Sequence, residues 1–496
     1  MRTFLTRLAC AASLPFALPA AAQQAPSPAE AGETRNPATP TVTAYPSAAV
    51  GDGPTTGGYN LSRWAEDWRS YRDPAKRDDP IDRLKFLPLD SDGDIYLTLS
   101  GEARLRVNHT TNPNLRNAEG QRQDIVRLVG GADLHIGPHF RAYGEIAHGG
   151  IDGVNLGTPP ANLRNDLVMQ QAFVEGTADV AGVSVGARYG RQEFTDGPNL
   201  LTSSRDNNTI RFVLNGVRAW ARGSRVRADL FDFKFTRFGY EGIGDDRADD
   251  GHRFSGVTTG VVLPTSLLGG SKLYLDPFYW RLRSDDAVWG GQTAQEKRYY
   301  AGVHLWGDAG PVTIDWTVNH QGGSHGAKDI DAWQVLLAQT YRLGAKSTAP
   351  RIGFHFDYAS GGGAYGGDTL RSSFSPFGNN IYYSYQLFLT PTNLIAVAPN
   401  FTFSPLPKVR LTAEYQLAWR DDVRDAVYRA NGSAFAGTQL VDDVKIANVA
   451  RLQAVWTITP RLSFTGRYEH LAAGPSLTQA GYRSSDFIAG WLSFRF

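Results

Sequence analysis

Four short motifs carry residue types whose spacing could support chemistry. They are Gly361-x-Gly363-x-x-Gly366, Gly322-x-Ser324-x-Gly326, Asp90-x-Asp92-Gly93-Asp94 and the pair His135 and His139. In suitable scaffolds such patterns cradle a dinucleotide, present a nucleophilic serine, hold calcium or bind zinc. Whether any of them works here depends on the elements that hold it.

None of these motifs has the scaffold that its chemistry requires. No helical pattern follows either glycine-flanked motif, and both lie in polar stretches. The acidic run at 90–94 lacks the glycine and the distal glutamate of a calcium loop. Gly137 and Pro138 interrupt the helix that would aim both histidines at one metal. The sequence therefore predicts no enzyme activity, no catalytic residue, no cofactor and no metal site.

The elements that position side chains are strands, because apolar and polar residues alternate from residue 94 onward. In 95–107, odd positions are apolar or small, whereas the even ones include Glu102, Arg104 and Arg106. Successive side chains of a strand point to opposite faces, so one face is apolar and the other polar. The pattern returns near 126–135, 225–230, 312–319, 408–415 and 461–469. A soluble β-sandwich, β-helix or propeller would also alternate, since it buries its apolar face.

The lengths of the connections favour a membrane barrel over those soluble folds. Tight turns near 137–139, 223–224, 307–310, 405–407 and 459–460 separate long polar loops near 109–123, 149–165, 194–208, 237–252, 284–297, 320–330, 360–392, 421–443 and 472–484. Short periplasmic turns that alternate with long extracellular loops are typical of outer-membrane barrels. We expect an all-β fold, a transmembrane antiparallel β-barrel of about eighteen strands with both chain ends in the periplasm.

Both ends of the chain agree with this localisation. Ile488, Gly490, Leu492, Phe494 and the terminal Phe496 share one face, which resembles the closing strand of bacterial outer-membrane barrels. At the other end, basic residues, an apolar run at 8–18 and Ala20-Ala21-Ala22 indicate a cleaved signal peptide. The expected organisation is a signal peptide at 1–22, a disordered periplasmic linker at 23–57, a periplasmic lead-in with a short helix at 58–93 and the barrel at 94–496.

Composition excludes other classes. The net charge is +1, with 50 basic and 49 acidic residues, so nucleic acid is not an implied partner. Beyond the signal peptide, no stretch has eighteen consecutive apolar residues, as a membrane-spanning helix would need. The single cysteine, Cys10, lies in the signal peptide, so the mature chain has no disulfide framework. The spacing of Trp64, Trp68 and Tyr71 predicts an amphipathic helix, interpreted as a strap on the barrel rim rather than a plug.

Arginine predominates on the polar face of the predicted strands. That face carries Arg104, Arg106, Arg127, Arg141, Arg188, Arg225, Arg227, Arg351, Lys408, Arg410, Arg461 and Arg467. The planar guanidinium pairs with carboxylates at two points, which suits a lumen that passes anions. The alternative is a ladder of cross-strand ion pairs that fills and stiffens the barrel.

Several segments resemble the alginate export family of outer-membrane proteins. They are Gly190-Arg191-Gln192-Glu193 followed by Arg205, Asn208, Arg211 and Gly216-Val217-Arg218; Phe356-Asp357-Tyr358-Ala359-Ser360-Gly361 with Phe374-Ser375-Pro376-Phe377; and Leu84-Lys85-Phe86-Leu87-Pro88-Leu89 before Leu97-x-Leu99-Ser100-Gly101-Glu102-Ala103-Arg104. The resemblance implies a monomeric eighteen-stranded barrel whose electropositive pore exports an anionic polysaccharide. By motif match it places Arg191 and Arg205 towards the conduit, with Arg188, Arg211 and Arg218 nearby.

The resulting hypothesis is an outer-membrane channel for an alginate-like polysaccharide or a related anionic sugar or organic acid. The pore residues predicted for it are Arg188, Arg191, Arg205, Arg211, Arg218, Arg104, Arg106 and Arg127. An uptake porin for small carboxylates and, less favoured, an outer-membrane barrel hydrolase remain as alternatives. The expected partners are the anion, outer-membrane lipid and lipopolysaccharide, and the barrel assembly machinery.

Overall fold

A computed structural model of the chain describes residues 59–266, 271–346 and 348–496. Within them, twenty strands form one sheet. Two of these strands have only two residues each, and the other eighteen make up a closed antiparallel barrel. The predicted fold class is therefore confirmed. The predicted signal peptide at 1–22 and linker at 23–57 lie outside the described residues.

The barrel strands follow one another around the wall in chain order. They are β1 Ile95–Thr110, β2 Gln121–Ile136, β3 Phe140–Val154, β4 Asn165–Val180, β5 Val183–Gln192, β6 Leu214–Arg222, β7 Val226–Arg237, β8 Arg247–Val262, β9 Lys272–Trp289, β10 Gln292–Ala309, β11 Val312–His325, β12 Lys328–Arg342, β13 Arg351–Ala359, β14 Leu394–Leu406, β15 Val409–Trp419, β16 Lys445–Thr457, β17 Leu462–Ala473 and β18 Ser485–Arg495. The two short strands are Leu87–Pro88, beside β1, and Thr369–Leu370, beside β12.

Helices are short and lie outside the wall strands. The 3-10 helices of the described residues are Arg63–Ala65, Arg69–Arg72, Pro74–Lys76, Pro80–Lys85, Pro113–Leu115, Ile243–Asp245, Asn380–Tyr382 and Thr438–Leu440, and the α-helix is Pro475–Thr478. No helix in these ranges has the length and apolar character needed to span a membrane.

The alternation seen in the sequence becomes the two faces of the wall. In β1 the even-numbered residues are buried towards the lumen, whereas Leu105 and Val107 are exposed on the outside. In β18, Phe487 and Ala489 are buried inward and Ile488 points outward with 58% of its surface exposed. An apolar outer face and a polar inner face are what a strand between lipid and a lumen requires.

The last strand closes the barrel against the first. Strands β1 and β18 pair in antiparallel register from Glu102 opposite Arg495 to Thr110 opposite Phe487. The terminal residue continues the ladder, because Gly101 N donates to Phe496 O at 2.9 Å and Phe496 N donates to Gly101 O at 3.1 Å. The Phe496 ring lies over Gly101, where a Cβ atom would be 2.2 Å from its Cε1 atom.

A Gly101→Leu substitution should therefore impair closure of the barrel. The new side chain must displace the Phe496 ring, and overpacking of this kind costs about 1–3 kcal/mol. Gly144→Leu is the matched control, since Gly144 is also a strand glycine but has open space at its Cβ position. We expect the folded fraction, measured by heat-dependent electrophoretic mobility, to fall for Gly101→Leu alone; equal losses in both variants would contradict this role of the seam.

Two of the predicted long loops, at 284–297 and 320–330, are instead tight hairpins. Strand β9 extends to Trp289, and β10 begins at Gln292. Gly290 and Gly291 join the two strands, and both glycines have positive φ. A two-residue turn with positive φ at both positions matches the twist of a hairpin. These strand ends carry polar residues on both faces, so the alternation disappears and the sequence resembles a loop.

Candidate functional site

The inner surface of the barrel is crossed by two long loops that fold back into it from the loop end. Loop 193–213 joins β5 to β6, and loop 360–393 joins β13 to β14. They meet where Phe377 N donates to Leu201 O at 3.1 Å and Asn379 N donates to Asn199 O at 2.7 Å. Phe377 is fully buried and stacks on Phe212 with 4.9 Å between ring centroids. The loops therefore brace each other across the lumen.

The N-terminal segment 59–93 enters the same lumen from the turn end. The side chain of Arg63 forms ion pairs of 3.2 Å with Glu102 of β1 and with Glu145 of β3. Trp64 packs edge-on against Phe173 of β4. These partners point inward, so the segment lies inside the barrel and is not a strap on its rim. Four short 3-10 helices take the place of the single amphipathic helix predicted there.

Asp206, on loop 193–213, gathers three of the predicted pore arginines. Its carboxylate lies 3.0 Å from Arg104, 2.8 Å from Arg127 and 2.7 Å from Arg211. Burial alone would raise the pKa of Asp206, but these arginines hold that pKa well below the usual value for an aspartate. Asp206 therefore remains charged and fastens the loop to β1 and β2.

Glu102, on β1, is the second centre of this network. Its fully buried carboxylate lies 3.2 Å from Arg63, 3.0 Å from Arg104 and 3.2 Å from Arg127. Arg495 of the closing strand is a fourth partner at 3.6 Å. The segment 59–93, the first strand and the last strand thus share one carboxylate.

Two further predicted arginines also have carboxylate partners. Arg188 of β5 pairs with Glu175 at 2.5 Å, and its guanidinium carbon lies 3.7 Å from the centroid of the Trp64 ring. Arg218 of β6 pairs with Asp229 at 2.7 Å. Both side chains face inward and are almost fully buried. They behave as the cross-strand ion pairs of the structural alternative.

Arg106 and Arg467 differ from these arginines, because neither forms an ion pair with a carboxylate of the described residues. Arg106 donates to Asn108 Oδ1 at 2.7 Å and Asn207 O at 3.1 Å, and Arg467 donates to Asn207 Oδ1 at 2.9 Å. Their guanidinium carbons lie 5.0 and 4.9 Å from the Trp491 ring centroid. Two cations thus share one aromatic ring on the inner wall, with neutral amides around them.

The remaining predicted residues, Arg205 and Arg191, lie elsewhere. Arg205 Nε donates to the backbone oxygens of Phe377 and Gly378 at 3.3 and 3.2 Å, so it joins the two loops. Burial lowers the pKa of Arg205 to about 10. Arg191 pairs with the outward-facing Ala172 in the β4–β5 ladder, and its nearest carboxylate is Asp246 at 3.9 Å. It therefore lies on the outer face and does not join the lumenal group, contrary to the motif match.

The space left beside the lumenal arginines is small. A cavity of about 10 Å³ lies between Arg104, Arg106, Arg127 and Asn207. Such a space is about the minimum needed for a single water molecule. The wall arginines and loop 193–213 are therefore closely packed at this point. A cavity of about 570 Å³ lies at the loop end, lined by Gln292, His325, Lys328 and Asp368, away from these arginines.

Two of the motifs that could support chemistry have structural roles in the wall or next to it. Ser324 lies within β11 and pairs with Lys297 and Asp329 of the neighbouring strands, so no strand-to-helix elbow is formed. Asp90 Oδ2 accepts from Ile95 N at 3.1 Å and makes the turn into β1. Among the described residues, no group of three or more His, Cys, Asp or Glu side chains could hold a metal.

Sequence reasoning did not single out Asp206, Asn207, Tyr385 or Trp491. Trp491 could have been found, because the apolar row of β18 occupies the even positions and residue 491 therefore faces inward. Asp206 and Asn207 lie in a loop, where no periodicity indicates the direction of a side chain. Tyr385 lies on the inward-folded loop 360–393, 4.7 Å from the Arg467 guanidinium.

Comparison with known proteins gives one family and a set of similar folds. The family model described as alginate export matches residues 95–490. The BenF-like porin from Pseudomonas fluorescens Pf-5 is 12% identical and superposes with a TM-score of 0.54 over 81% of this chain and 98% of its own. OccD3 (OpdP) from Pseudomonas aeruginosa is 14% identical, with a TM-score of 0.53 over 81% and 91%. OccAB1 from Acinetobacter baumannii is 13% identical, with a TM-score of 0.52 over 84% and 99%. No curated protein sequence matches the chain.

Proposed function

Because the chain belongs to the alginate export family and is an outer-membrane channel protein, we propose that it conducts an anionic polysaccharide, alginate-like in charge, past an arginine-lined inner wall. A related acidic sugar or organic acid would meet the same groups.

The observation that carries this proposal is the pair of arginines at Trp491. Arg106 and Arg467 hold their charges near the same ring, and their donors contact neutral amides rather than carboxylates. A carboxylate that enters the lumen can exchange these neutral acceptors for a charge-assisted hydrogen bond. The Trp491 ring offers an apolar face on which a sugar ring can slide.

Conduction also requires that each contact be weak enough to release. Channels achieve this with several moderate sites in place of one tight site. Arg104 and Arg127 are already shared between Glu102 and Asp206, so they raise the local positive potential without binding an anion strongly. We infer that the unshared pair provides the main contact and that its shared neighbours provide long-range attraction.

An uptake porin for small carboxylates is the second candidate, and the fold shared with porins is compatible with it. The two functions differ in ligand length. A polymer conduit is blocked more strongly by long uronate oligomers than by the monomer, because several residues of the chain bind at once. A small-solute porin would show no such dependence on length.

Planar-bilayer recording of the purified protein tests the proposal. In a salt gradient we expect a reversal potential of the sign for anion selectivity, and block by oligouronates but not by neutral oligosaccharides of equal length. Cation selectivity, or equal block by neutral and acidic oligomers, would overturn it. Ester or lipid turnover lost on Ser324→Ala would instead support the hydrolase.

The other expected partners follow from the outer surface. The apolar outer row would contact lipid and lipopolysaccharide, and the closing strand would be recognised by the barrel assembly machinery. We also propose that the protein is a monomer; the pairing of β1 with β18 completes the wall within one chain, so a second copy is not needed to close it.

A further inference from the structure

We propose that residues 59–86 form a displaceable plug that closes the periplasmic half of the lumen and must move before the channel conducts. The inference rests on the proposed channel function. It goes beyond that function by giving a gating role to one segment and to one ion-pair latch, Arg63 with Glu102 and Glu145.

The plug has an internal structure of its own. Glu66 accepts hydrogen bonds from Asn60 N at 3.1 Å, Trp68 Nε1 at 2.8 Å and Lys85 Nζ at 3.3 Å. The Lys85 ammonium also lies 4.8 Å from the Trp68 ring centroid. A single carboxylate thus ties the beginning of the segment to its end. The segment can leave the wall as one unit without first losing its own fold.

The wall does not depend on the plug. Strands β1 and β18 close the ladder directly. Among the described residues, no backbone–backbone hydrogen bond joins residues 61–86 to a barrel strand; the first ladder contact is Leu87 opposite Leu97. Removing the segment would therefore break side-chain contacts while every wall ladder remained intact. This is the arrangement expected of a movable part rather than of a structural strand.

Charged and polar contacts hold the plug to the wall, beside the aromatic packing of Trp64 on Phe173 and of Phe86 on Tyr96. Arg63 bridges two carboxylates, Ser62 Oγ donates to Glu193 Oε2 at 2.7 Å, and Arg461 pairs with Asp79 at 2.6 Å on the rim. Because Glu193 begins loop 193–213 and also pairs with Arg211, the plug contacts the base of that loop. Breaking the Arg63 pairs leaves two buried carboxylates with fewer partners, so the latch resists opening until an outside charge replaces it.

The plug also covers lumenal arginines. Trp64 lies over the Arg188 guanidinium at 3.7 Å, and Trp64 O accepts from Arg141 Nη1 at 2.8 Å. Both arginines share Glu175. Moving Trp64 away would expose these two positive side chains to the periplasmic entrance, where an outgoing polyanion arrives. The plug thus governs how much of the positive wall the ligand meets.

A thiol-accessibility experiment tests the plug independently of ion selectivity. Ser100→Cys places a thiol on the inner face of β1, between Thr98, which donates to Lys85 O at 2.9 Å, and Glu102, which binds Arg63. It would be the only cysteine of the mature chain. Labelling by a small neutral maleimide is compared in this background with and without Arg63→Glu. The control is Arg69→Glu, since Arg69 is half exposed and pairs with Asp67 of its own segment.

We expect Arg63→Glu to speed labelling at least about tenfold, because three carboxylates would then be buried together, while Arg69→Glu leaves the rate unchanged. Trp64→Ala should produce the same change without charge reversal, which covers the case in which Arg63→Glu does not fold. Heat-dependent mobility checks that each barrel is intact. Unchanged labelling in a folded Arg63→Glu or Trp64→Ala barrel would overturn the plug. Faster labelling without any ion current would instead count against the channel function alone.

Discussion

Replacing both Arg106 and Arg467 with glutamate is expected to convert the channel from anion-selective to cation-selective. Each guanidinium lies about 5 Å from the Trp491 ring centroid and has no carboxylate partner among the described residues. At an effective dielectric constant near 20, a unit charge at about 5 Å contributes about 3 kcal/mol to the energy of an ion beside it. The energy change from reversing two such charges is larger than about 1.4 kcal/mol, the free energy that corresponds to a tenfold change in preference between anions and cations.

The measurement is the reversal potential in a salt gradient, and two controls define its meaning. Arg191→Gln removes an arginine on the outer face, so the potential should stay the same. Arg106→Gln with Arg467→Gln should weaken anion preference without reversing it, since it removes charge and adds none. An unchanged potential in the double glutamate variant would place the selective contacts elsewhere in the lumen.

The wall of the barrel could be predicted from the sequence because the direction of each side chain depends only on its position within its own strand. A strand between lipid and a polar lumen must alternate, so Leu105 and Arg104 had to face opposite ways. The terminal Phe496 likewise indicated a closing strand, and the β1–β18 ladder confirms it. The strand count follows from the alternation and the loop lengths, and the family membership from the motif resemblance; both predictions are confirmed, as is the outer-membrane localisation.

The site was harder to predict because its main parts lie where the period of two is lost. Arg191 shows an error that alternation itself could have prevented: it is three residues from the inward-facing Arg188 in the same strand, so it must face outward. Asp206 lies in a loop, where alternation does not indicate the direction of a side chain. Only the return of loop 193–213 into the lumen brings its carboxylate to Arg104 and Arg127, and no local rule predicts that return.

We assign the two interpretations of the arginine-rich face, an ion-pair ladder and an anion pathway, to different residues. Arg188 and Arg218 belong to an ion-pair ladder that fills and stiffens the wall. Arg106 and Arg467 form no ion pair with a carboxylate of the described residues, and we propose them as the side chains that meet the ligand. In this proposal, pairing with a carboxylate rather than arginine content separates structural positions from ligand-binding ones. That distinction depends on distances, which the sequence does not contain.

Loss of the Glu102 charge should have the largest effect on stability of any single change in this network. Glu102 is fully buried and contacts four arginines: Arg63, Arg104, Arg127 and Arg495. Glu102→Gln keeps the shape of the side chain but removes its charge. Arg104 and Arg127 retain Asp206, whereas Arg495 loses the carboxylate nearest to it. Breaking a buried ion pair from one side typically costs about 3–5 kcal/mol.

The free energy of unfolding, measured by urea titration of the barrel in lipid vesicles, should therefore fall by about 3–5 kcal/mol in Glu102→Gln. Asp232→Asn is the matched control, because Asp232 and its partner Arg253 are exposed on the outside of the barrel. An exposed pair is worth about 0–1 kcal/mol, so the control should barely move. A loss in Glu102→Gln no larger than the about 0–1 kcal/mol expected for Asp232→Asn would contradict the prediction, because burial would then make no difference to the value of an ion pair.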